Sequence, residues 1–184
     1  MYALAIDLET LSLKENAHIL SIGAVLFNVS SGDMVDEFHM PIDIEQEQNG
    51  ADVSKSTLKW WISEIEKGTP FPHGDGSPEY VLSMFESWVD GCRDQYNIPS
   101  KSMRVYQQGD RDSMWINSAW ERIFGEKWTH WYYWNVFCSR TLVTHFGIEN
   151  LPPELKALEV GKAHDALEDA KFVAKRIAYI LGDE

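Results

Sequence analysis

Two carboxylates, Asp7 and Glu9, stand two positions apart at the end of a short apolar run, residues 2–6. In a β-strand, side chains two positions apart point to the same face, so these two carboxylates should project together while Leu8 points to the other face. If they are buried side by side, they repel each other and lose hydration unless a cation or several hydrogen bonds compensate. A divalent metal with oxygen ligands is the simplest compensation, although such pairs also occur on solvated strand ends.

A second polar cluster precedes the last predicted helix. Asp165, with Glu168 three positions later, can form an N-cap pair that starts a helix at about Ala166. His164 then lies just outside the helix and can converge with Asp169, whereas two residues five apart on one helix would diverge by about 140°. Two interpretations stay open: a metal ligand at the edge of a cleft, or a capped amphipathic helix preceded by a histidine without a role.

A third cluster, residues 109–112, lies where a predicted strand gives way to a helix that contains Ile116. Asp110 and Asp112 are both candidates to cap that helix or to bind a metal. Capping is the commoner use of such acids.

Taken together, the three clusters resemble the motifs of the DEDDh family of 3′ to 5′ exonucleases, which includes polymerase proofreading subunits, ribonuclease T and oligoribonuclease. Residues 7–10 look like the first family motif, and residues 109–112 with Ile116 look like the second. His164 and Asp169, with four residues between them, look like the third. The order and spacing of all three agree with the family.

Two further segments, residues 56–61 and 139–142, resemble the branch of phage oligonucleotide exonucleases and mycobacterial-type exoribonucleases. The second motif departs from the family pattern, because the family usually has an aromatic residue before its aspartate and this chain has Arg111. The spacings to the preceding glycine and to the following isoleucine favour Asp112 over Asp110 as the second-motif acid.

The resemblance implies hydrolysis assisted by two divalent ions, Mg²⁺ or Mn²⁺, which stabilise the attacking and leaving oxygens at phosphorus. Asp7 is then expected to bridge both ions. Glu9 and Asp169 should complete the site that activates water, and Asp112 should hold the second ion. His164 is the expected general base, since an imidazole that titrates near neutrality can accept a proton from water.

Five side chains near these motifs are candidates for substrate contact. Leu11 stands where relatives wedge an apolar side chain against the terminal base, but it is equally an ordinary loop anchor. An exposed Trp60 would stack a base, although core packing is the commoner use of tryptophan. Each of the two arginines of the set, Arg111 and Arg140, is expected either to contact a phosphate or to form an ion pair. The set is Thr10, Leu11, Trp60, Arg111 and Arg140.

The elements that position these residues follow from hydrophobic patterning. Alternating or apolar runs predict strands, and the second and third flank a turn cluster that makes them a hairpin. Helical spacing predicts five helices, the first capped by Ser56 or Thr57 and burying Leu58, Trp61, Ile62 and Ile65. The predicted strands are 2–6, 18–27, 35–40, 103–106 and 131–137, and the predicted helices are about 57–67, 78–96, 115–123, 140–146 and 166–181.

This order of elements predicts an α/β architecture with a mixed sheet covered by helices. The family resemblance is more specific: it implies a ribonuclease H-like fold, with a mixed five-stranded sheet flanked by α-helices and an antiparallel second strand. The length of 184 residues, 44% of them hydrophobic, suits a single domain over residues 1–184.

The composition of the chain limits which substrates and binding partners it is expected to have. The formal net charge of −13 argues against long duplex DNA held by phosphate neutralisation and favours short single-stranded RNA or DNA. Cys92 and Cys138 read as reduced core thiols, and the absence of a long apolar stretch or basic leader predicts a cytoplasmic protein with no membrane partner. A homodimer stays open. The alternative function is a catalytically inactive ribonuclease H-like module that binds nucleic acid.

Overall fold

The computed structural model describes residues 1–157 and 164–182, and its centre is a five-stranded mixed sheet. The second strand runs antiparallel to the first, whereas the last two strands run parallel to the first. This topology confirms the predicted fold class and the predicted hairpin. The strands are β1 (Tyr2–Thr10), β2 (Ile19–Asn28), β3 (Met34–Pro41), β4 (Val105–Gln107) and β5 (Val136–Cys138). Their spatial order across the sheet is β3-β2-β1-β4-β5.

Helices cover both faces of the sheet. The second helix begins with a proline in its first turn, where the missing N–H group has no intrahelical partner to lose. The helices are α1 (Lys55–Glu66), α2 (Pro78–Gln95), α3 (Asp112–Phe124), α4 (Ser139–Phe146) and α5 (Ala166–Leu181). The observed bounds of α2, α3, α4 and α5 agree with the predicted helices to within a few residues at each end.

β1 is buried on both faces, as its apolar sequence predicted. Leu4, Ile6 and Leu8 belong to the larger core, which includes residues of α2 and α3. Ala3 and Ala5 pack on the opposite face with residues of α5. Because side chains alternate along a strand, the two carboxylates that continue the odd-numbered series lie on the α5 side of the sheet.

Gly23 lets the start of α5 approach the sheet closely. It pairs with Asp7 across the β1–β2 ladder. A Cβ atom at Gly23 would lie 2.1 Å from the carbonyl carbon of Ala166, a distance that no side chain can tolerate. The absence of a side chain here therefore brings the first turn of α5, with its acidic residues, over the end of β1.

The structure corrects two details of the first helix. Its N-cap is Ser54, whose hydroxyl accepts a hydrogen bond from the Thr57 N–H at 3.2 Å, so neither Ser56 nor Thr57 caps it. Of the predicted apolar face only Trp61 is buried, whereas Leu58, Ile62 and Ile65 are 39%, 58% and 47% exposed. The periodicity was real, but no described element covers the outer part of that face.

The fifth strand is shorter than predicted. Only Val136–Cys138 pair with β4, because Trp131 turns into the core and Tyr133–Asn135 form a short 3₁₀ helix. The aromatic run at 131–134 has high β-propensity, and here tertiary packing overrides it. Two rings of this run stay largely exposed.

Cys92 and Cys138 are both free thiols, as predicted, with Cys92 buried and Cys138 half-buried. Among the described residues, no helix combines the length and the apolar character that crossing a bilayer requires.

Candidate active site

A cleft of about 650 Å³ opens at the carboxyl ends of the parallel strands β1 and β4. It brings together acidic residues from each of the three sequence clusters. The lining residues are Asp7, Leu8, Glu9, Thr10, Leu13, Ser56, Thr57, Trp60, Gln108, Gly109, Asp110, Arg111, Asp112, Trp115, Arg140, His164 and Asp169.

The third cluster contributes Asp112 to the cleft. Asp112 is the first residue of α3 and is 4% exposed, and its Oδ1 accepts a hydrogen bond from the Leu8 N–H of β1 at 3.0 Å. The side chain of Asp110 is 90% exposed and lies 3.7 Å from the Arg111 guanidinium. The geometry therefore favours Asp112 as the second-motif acid, in agreement with the spacing argument.

Gln107 is a residue whose structural role the sequence analysis missed. Its side-chain oxygen accepts the Ser113 N–H at 2.9 Å, and its amide nitrogen donates to the Gly109 carbonyl at 3.2 Å. It thus joins the end of β4 to the first turn of α3 and fixes the backbone around Asp112. A polar residue that ends a buried strand is the signal that would have identified it.

His164 and Asp169 converge as predicted. Asp165 is the N-cap of α5 and accepts hydrogen bonds from the N–H groups of Leu167 and Glu168. His164 lies before the helix at φ +67°, and its own N–H donates to Asp169 Oδ2 at 2.8 Å. This turn directs His164 back over the helix start, toward the end of β1.

Glu9, His164 and Asp169 form a compact group of three potential ligands. One donor atom from each lies within 4.8 Å of the other two. Glu9 and Asp169 are each 7% exposed, and His164 is half-buried. Three separated sequence positions thus meet at one point of the cleft.

Trp60 combines the two alternatives that the sequence left open. Its ring packs edge to face against His164, with centroids 4.7 Å apart and an interplanar angle of 89°. The same ring lies 5.0 Å from Trp61, yet it is 39% exposed and lines the cleft. Trp60 therefore supports the histidine and still exposes part of its surface to the cleft.

Of the two leucines in the loop after β1, Leu13 reaches the cleft and Leu11 does not. Leu11 is 4% exposed and packs with Leu20 and Trp61. Leu11 therefore anchors the loop and does not contact the cleft. Leu13 is 61% exposed and lines the cleft. The backbone carbonyl of Leu13 accepts a hydrogen bond from Arg111, and this bond ties the β1–β2 loop to the start of α3.

Thr10 and Arg140 also line the cleft. The Thr10 hydroxyl donates to the Ser12 carbonyl at 2.8 Å, and its own carbonyl accepts from the Trp61 indole N–H at 3.0 Å. Arg140 is exposed in the first turn of α4. Thr10 is thus a hydrogen-bonded part of the cleft wall, and Arg140 adds a positive charge to the lining.

Burial and mutual repulsion raise the pKa values of the four acids. Burial raises the pKa of Asp7 well above its usual value, and the carboxylates of Asp112, Glu9 and Asp169 raise it further, while Arg140 opposes the shift. Burial, followed by Asp169 and Asp112, raises the pKa of Glu9 to about 8. Burial raises the pKa of Asp112 to about 7. Burial also raises the pKa of Asp169 above its usual value.

These shifts predict the pH dependence of stability without divalent ions. Carboxyl groups titrate near pH 4 in an unfolded chain, whereas the folded pKa values are about 8 for Glu9 and about 7 for Asp112. The folded protein therefore binds more protons across this window, so its free energy of unfolding should fall as the pH rises through it. The melting temperature in EDTA should drop between about pH 5 and about pH 9.

Variants can separate this effect from the general acidity of the chain. Glu9→Gln should flatten the decline, whereas Glu45→Gln, at an exposed position, should leave it unchanged. Mg²⁺ or Mn²⁺ should raise the melting temperature most at high pH, where the carboxylates are ionised. An equal decline in both variants would exclude the acidic cluster as its source.

The donor set fits hard divalent cations. Four carboxylates and one imidazole surround the same space, and the pKa directions express the cost of placing that much negative charge together. Oxygen-rich sites of this kind suit Mg²⁺ and Mn²⁺. The residues present are therefore chemically suited to the ions that the sequence led us to expect.

Comparison with solved structures places the fold among nucleases. The chain resembles the nuclease domain of 3′hExo, a DEDDh family member bound to rAMP, at 14% identity and a TM-score of 0.60, over 99% of this chain and 92% of that one. It also resembles cell-death related nuclease 4 at 14% identity and a TM-score of 0.63, over 99% and 64% of the two chains.

A third similar structure is E. coli exonuclease I in complex with a dT13 oligonucleotide. The identity is 12% and the TM-score 0.61, over 97% of this chain and 40% of that one. At these identities the likeness establishes the fold.

The family is established by sequence. No curated protein matches the chain significantly. Residues 2–181 match the family described as the 3′-5′ exoribonuclease Rv2179c-like domain. The chain therefore belongs to this family and is a 3′-5′ exonuclease.

Proposed function

We propose that this exonuclease depends on two divalent ions, Mg²⁺ or Mn²⁺, and degrades short single strands from the 3′ end to nucleoside 5′-monophosphates. The observation that carries the proposal is the convergence of Asp7, Glu9, Asp112, Asp169 and His164 in one cleft. When bound, the ions would stabilise the attacking and leaving oxygens of an in-line displacement at phosphorus. Loss of any one acid would leave that set incomplete.

Each residue of the chain has a distinct proposed role. Asp7 would be shared by both ions, Glu9 and Asp169 would complete one ligand set, and Asp112 would complete the other. His164 would accept the proton of the attacking water, since its ring lies near Glu9 and Asp169. This group of five residues argues against an inactive binding module.

The cleft walls suggest how the 3′ nucleotide is held. Leu13 and Trp60 offer apolar surface to a base in the same cleft that holds the acids. Arg140 can meet a phosphate oxygen with its guanidinium, and Arg111 also lines the cleft. With a net charge of −13, these few cations favour short substrates, whose total charge is small.

Two neighbouring aspartates provide a direct test of the second-motif assignment. Asp112→Asn should lower kcat by about 100-fold or more, because it removes a buried ligand charge, whereas Asp110→Asn should change kcat by less than about threefold. Hydrolysis of a 5′-labelled oligomer under saturating Mn²⁺ measures both. A larger loss in the Asp110 variant would reverse the assignment.

The sugar preference is tested with matched RNA and DNA oligomers of one sequence. The family description supports RNA as the better substrate. We expect the RNA oligomer to give the higher kcat/KM and the product to carry a 5′-phosphate. EDTA should abolish both reactions, and Mg²⁺ or Mn²⁺ should restore them. Persistent hydrolysis in EDTA would contradict the proposed ion dependence.

A further inference from the structure

Three aromatic residues that precede β5 form a ledge outside the active-site cleft. Tyr132 and Trp134 are stacked, with centroids 4.4 Å apart and an interplanar angle of 21°, and Tyr133 packs edge to face on Trp134. Tyr133 is 83% exposed and Trp134 is 53% exposed. Large aromatic side chains usually contribute to stability by burial, so rings held largely in solvent need another reason.

The aromatic ledge, residues 132–134, is fixed from both sides. Trp131, immediately before it, is 5% exposed and packs in the core against Trp128. Asn135, immediately after it, donates its side-chain amide to the Lys101 carbonyl at 2.7 Å. Rings that are already held in place lose little conformational freedom when they bind a partner.

A second cavity, called the passage below, borders both the ledge and the active-site cleft. Its volume is about 280 Å³, and its lining includes Tyr133 and Trp131 as well as Gly109 and Asp110. Gly109 and Asp110 also border the catalytic cleft. Gly109 has φ +127° and open space where a Cβ would lie, so the boundary between the two cavities carries no side chain at this point.

The chemistry of the ledge indicates its occupant. Aromatic faces stack on the bases of single-stranded nucleic acid without sequence preference. Lys101, which is exposed and tied to the ledge through Asn135, adds a cation for the phosphate backbone. Asp110 would oppose that backbone, but it is paired with Arg111 at 3.7 Å.

We propose that the aromatic ledge is an upstream binding site for the substrate strand. The 3′ nucleotide would lie in the catalytic cleft, the strand would cross at Gly109, and the preceding bases would stack on Tyr133 and Trp134. The inference rests on the proposed function, because it takes single strands as the substrate. It adds that affinity should increase with strand length, up to the nucleotides that reach the ledge.

The test compares a dinucleotide with an oligomer of about eight nucleotides, using the full chain. The double variant Tyr133→Ala, Trp134→Ala should raise KM for the oligomer by about 5- to 100-fold, as expected for the loss of base stacking. Its kcat should change little, and its kcat/KM for the dinucleotide should equal that of the wild type. Replacing both residues with phenylalanine should largely restore the oligomer KM.

Tyr80→Ala is the matched control, because Tyr80 is 54% exposed at the start of α2 and does not line the passage. It should leave both KM values unchanged. An equal loss of activity on both substrates, or an unchanged oligomer KM, would overturn the proposal. Dissociation of a wild-type dimer by the double variant, measured by light scattering, would assign the ledge to a second copy of the chain instead.

A binding measurement separates this proposal from the proposed catalytic function. Anisotropy of a labelled oligomer on the Asp7→Asn background should show weaker binding when the ledge is removed, whether or not the wild type hydrolyses the strand. If the wild type hydrolyses neither substrate with Mg²⁺ or Mn²⁺, the proposed function fails. If hydrolysis is normal and the ledge variants bind as tightly as their parent, the ledge proposal fails.

Discussion

Asp7→Asn should lower kcat by about a thousandfold, which corresponds to about 4 kcal/mol of lost transition-state stabilisation. The carboxylates of Asp112, Glu9 and Asp169 each raise the pKa of Asp7, so its charge interacts with all three of the other acids. If it is shared by both ions, its replacement removes charge from both at once. Single-turnover hydrolysis of a labelled oligomer, with Mn²⁺ varied to saturation, measures the loss without interference from product release.

The same substitution should have the opposite effect on the stability of the ion-free protein. Removing one carboxylate from a crowded, partly buried cluster relieves repulsion and desolvation, so the melting temperature in EDTA at neutral pH should rise by a few degrees. Asp75→Asn, at an exposed position, should change neither activity nor melting temperature. Near-native turnover of the Asp7 variant would exclude its proposed role. A lower melting temperature of the Asp7→Asn variant in EDTA would show that Asp7 stabilises the folded protein.

The core elements could be predicted because their patterns are local. β1 is an apolar run, β2 and β3 flank a turn cluster, and α5 has both a capping residue and an apolar stripe. Even the close approach of α5 to the sheet depends on one residue, Gly23. Its fit against Ala166 could not be read from the sequence, because it depends on how two distant elements pack.

The first helix shows the limit of periodicity. Leu58, Ile62 and Ile65 follow the helical repeat, yet they remain exposed while Trp61 alone is buried. A repeat of apolar residues identifies the face that is suited to burial. It does not show whether another element of the same chain covers that face.

The loop after β1 shows a second limit. The β1–β2 register shifts between Glu9 and Thr10, and such a bulge breaks the alternation of side chains beyond it. The direction of Leu11 and Leu13 therefore could not be read from a period of two. The acids before the shift obey the alternation, which is why Asp7 and Glu9 could be paired from the sequence.

His164→Ala should slow hydrolysis by about 10²- to 10⁴-fold while leaving Mn²⁺ and oligomer binding nearly unchanged. The ring lies beside Glu9 and Asp169 and is braced by Trp60 at 4.7 Å, so it is positioned to take a proton from water in the cleft. Its backbone N–H, which the variant retains, supplies the hydrogen bond to Asp169. The acidic cluster should therefore keep its geometry.

Three measurements on the same preparation distinguish a general base from its alternatives. A higher pH should recover part of the variant's activity, because hydroxide then supplies what the imidazole supplied. A ligand role would instead weaken Mn²⁺ binding in calorimetry. A purely structural role would lower the melting temperature and preserve turnover per folded molecule. His145→Ala, at an exposed site on α4, should change none of these. Only a loss of turnover with intact ion binding and partial rescue at high pH assigns proton transfer to His164, because each alternative fails at least one of these conditions.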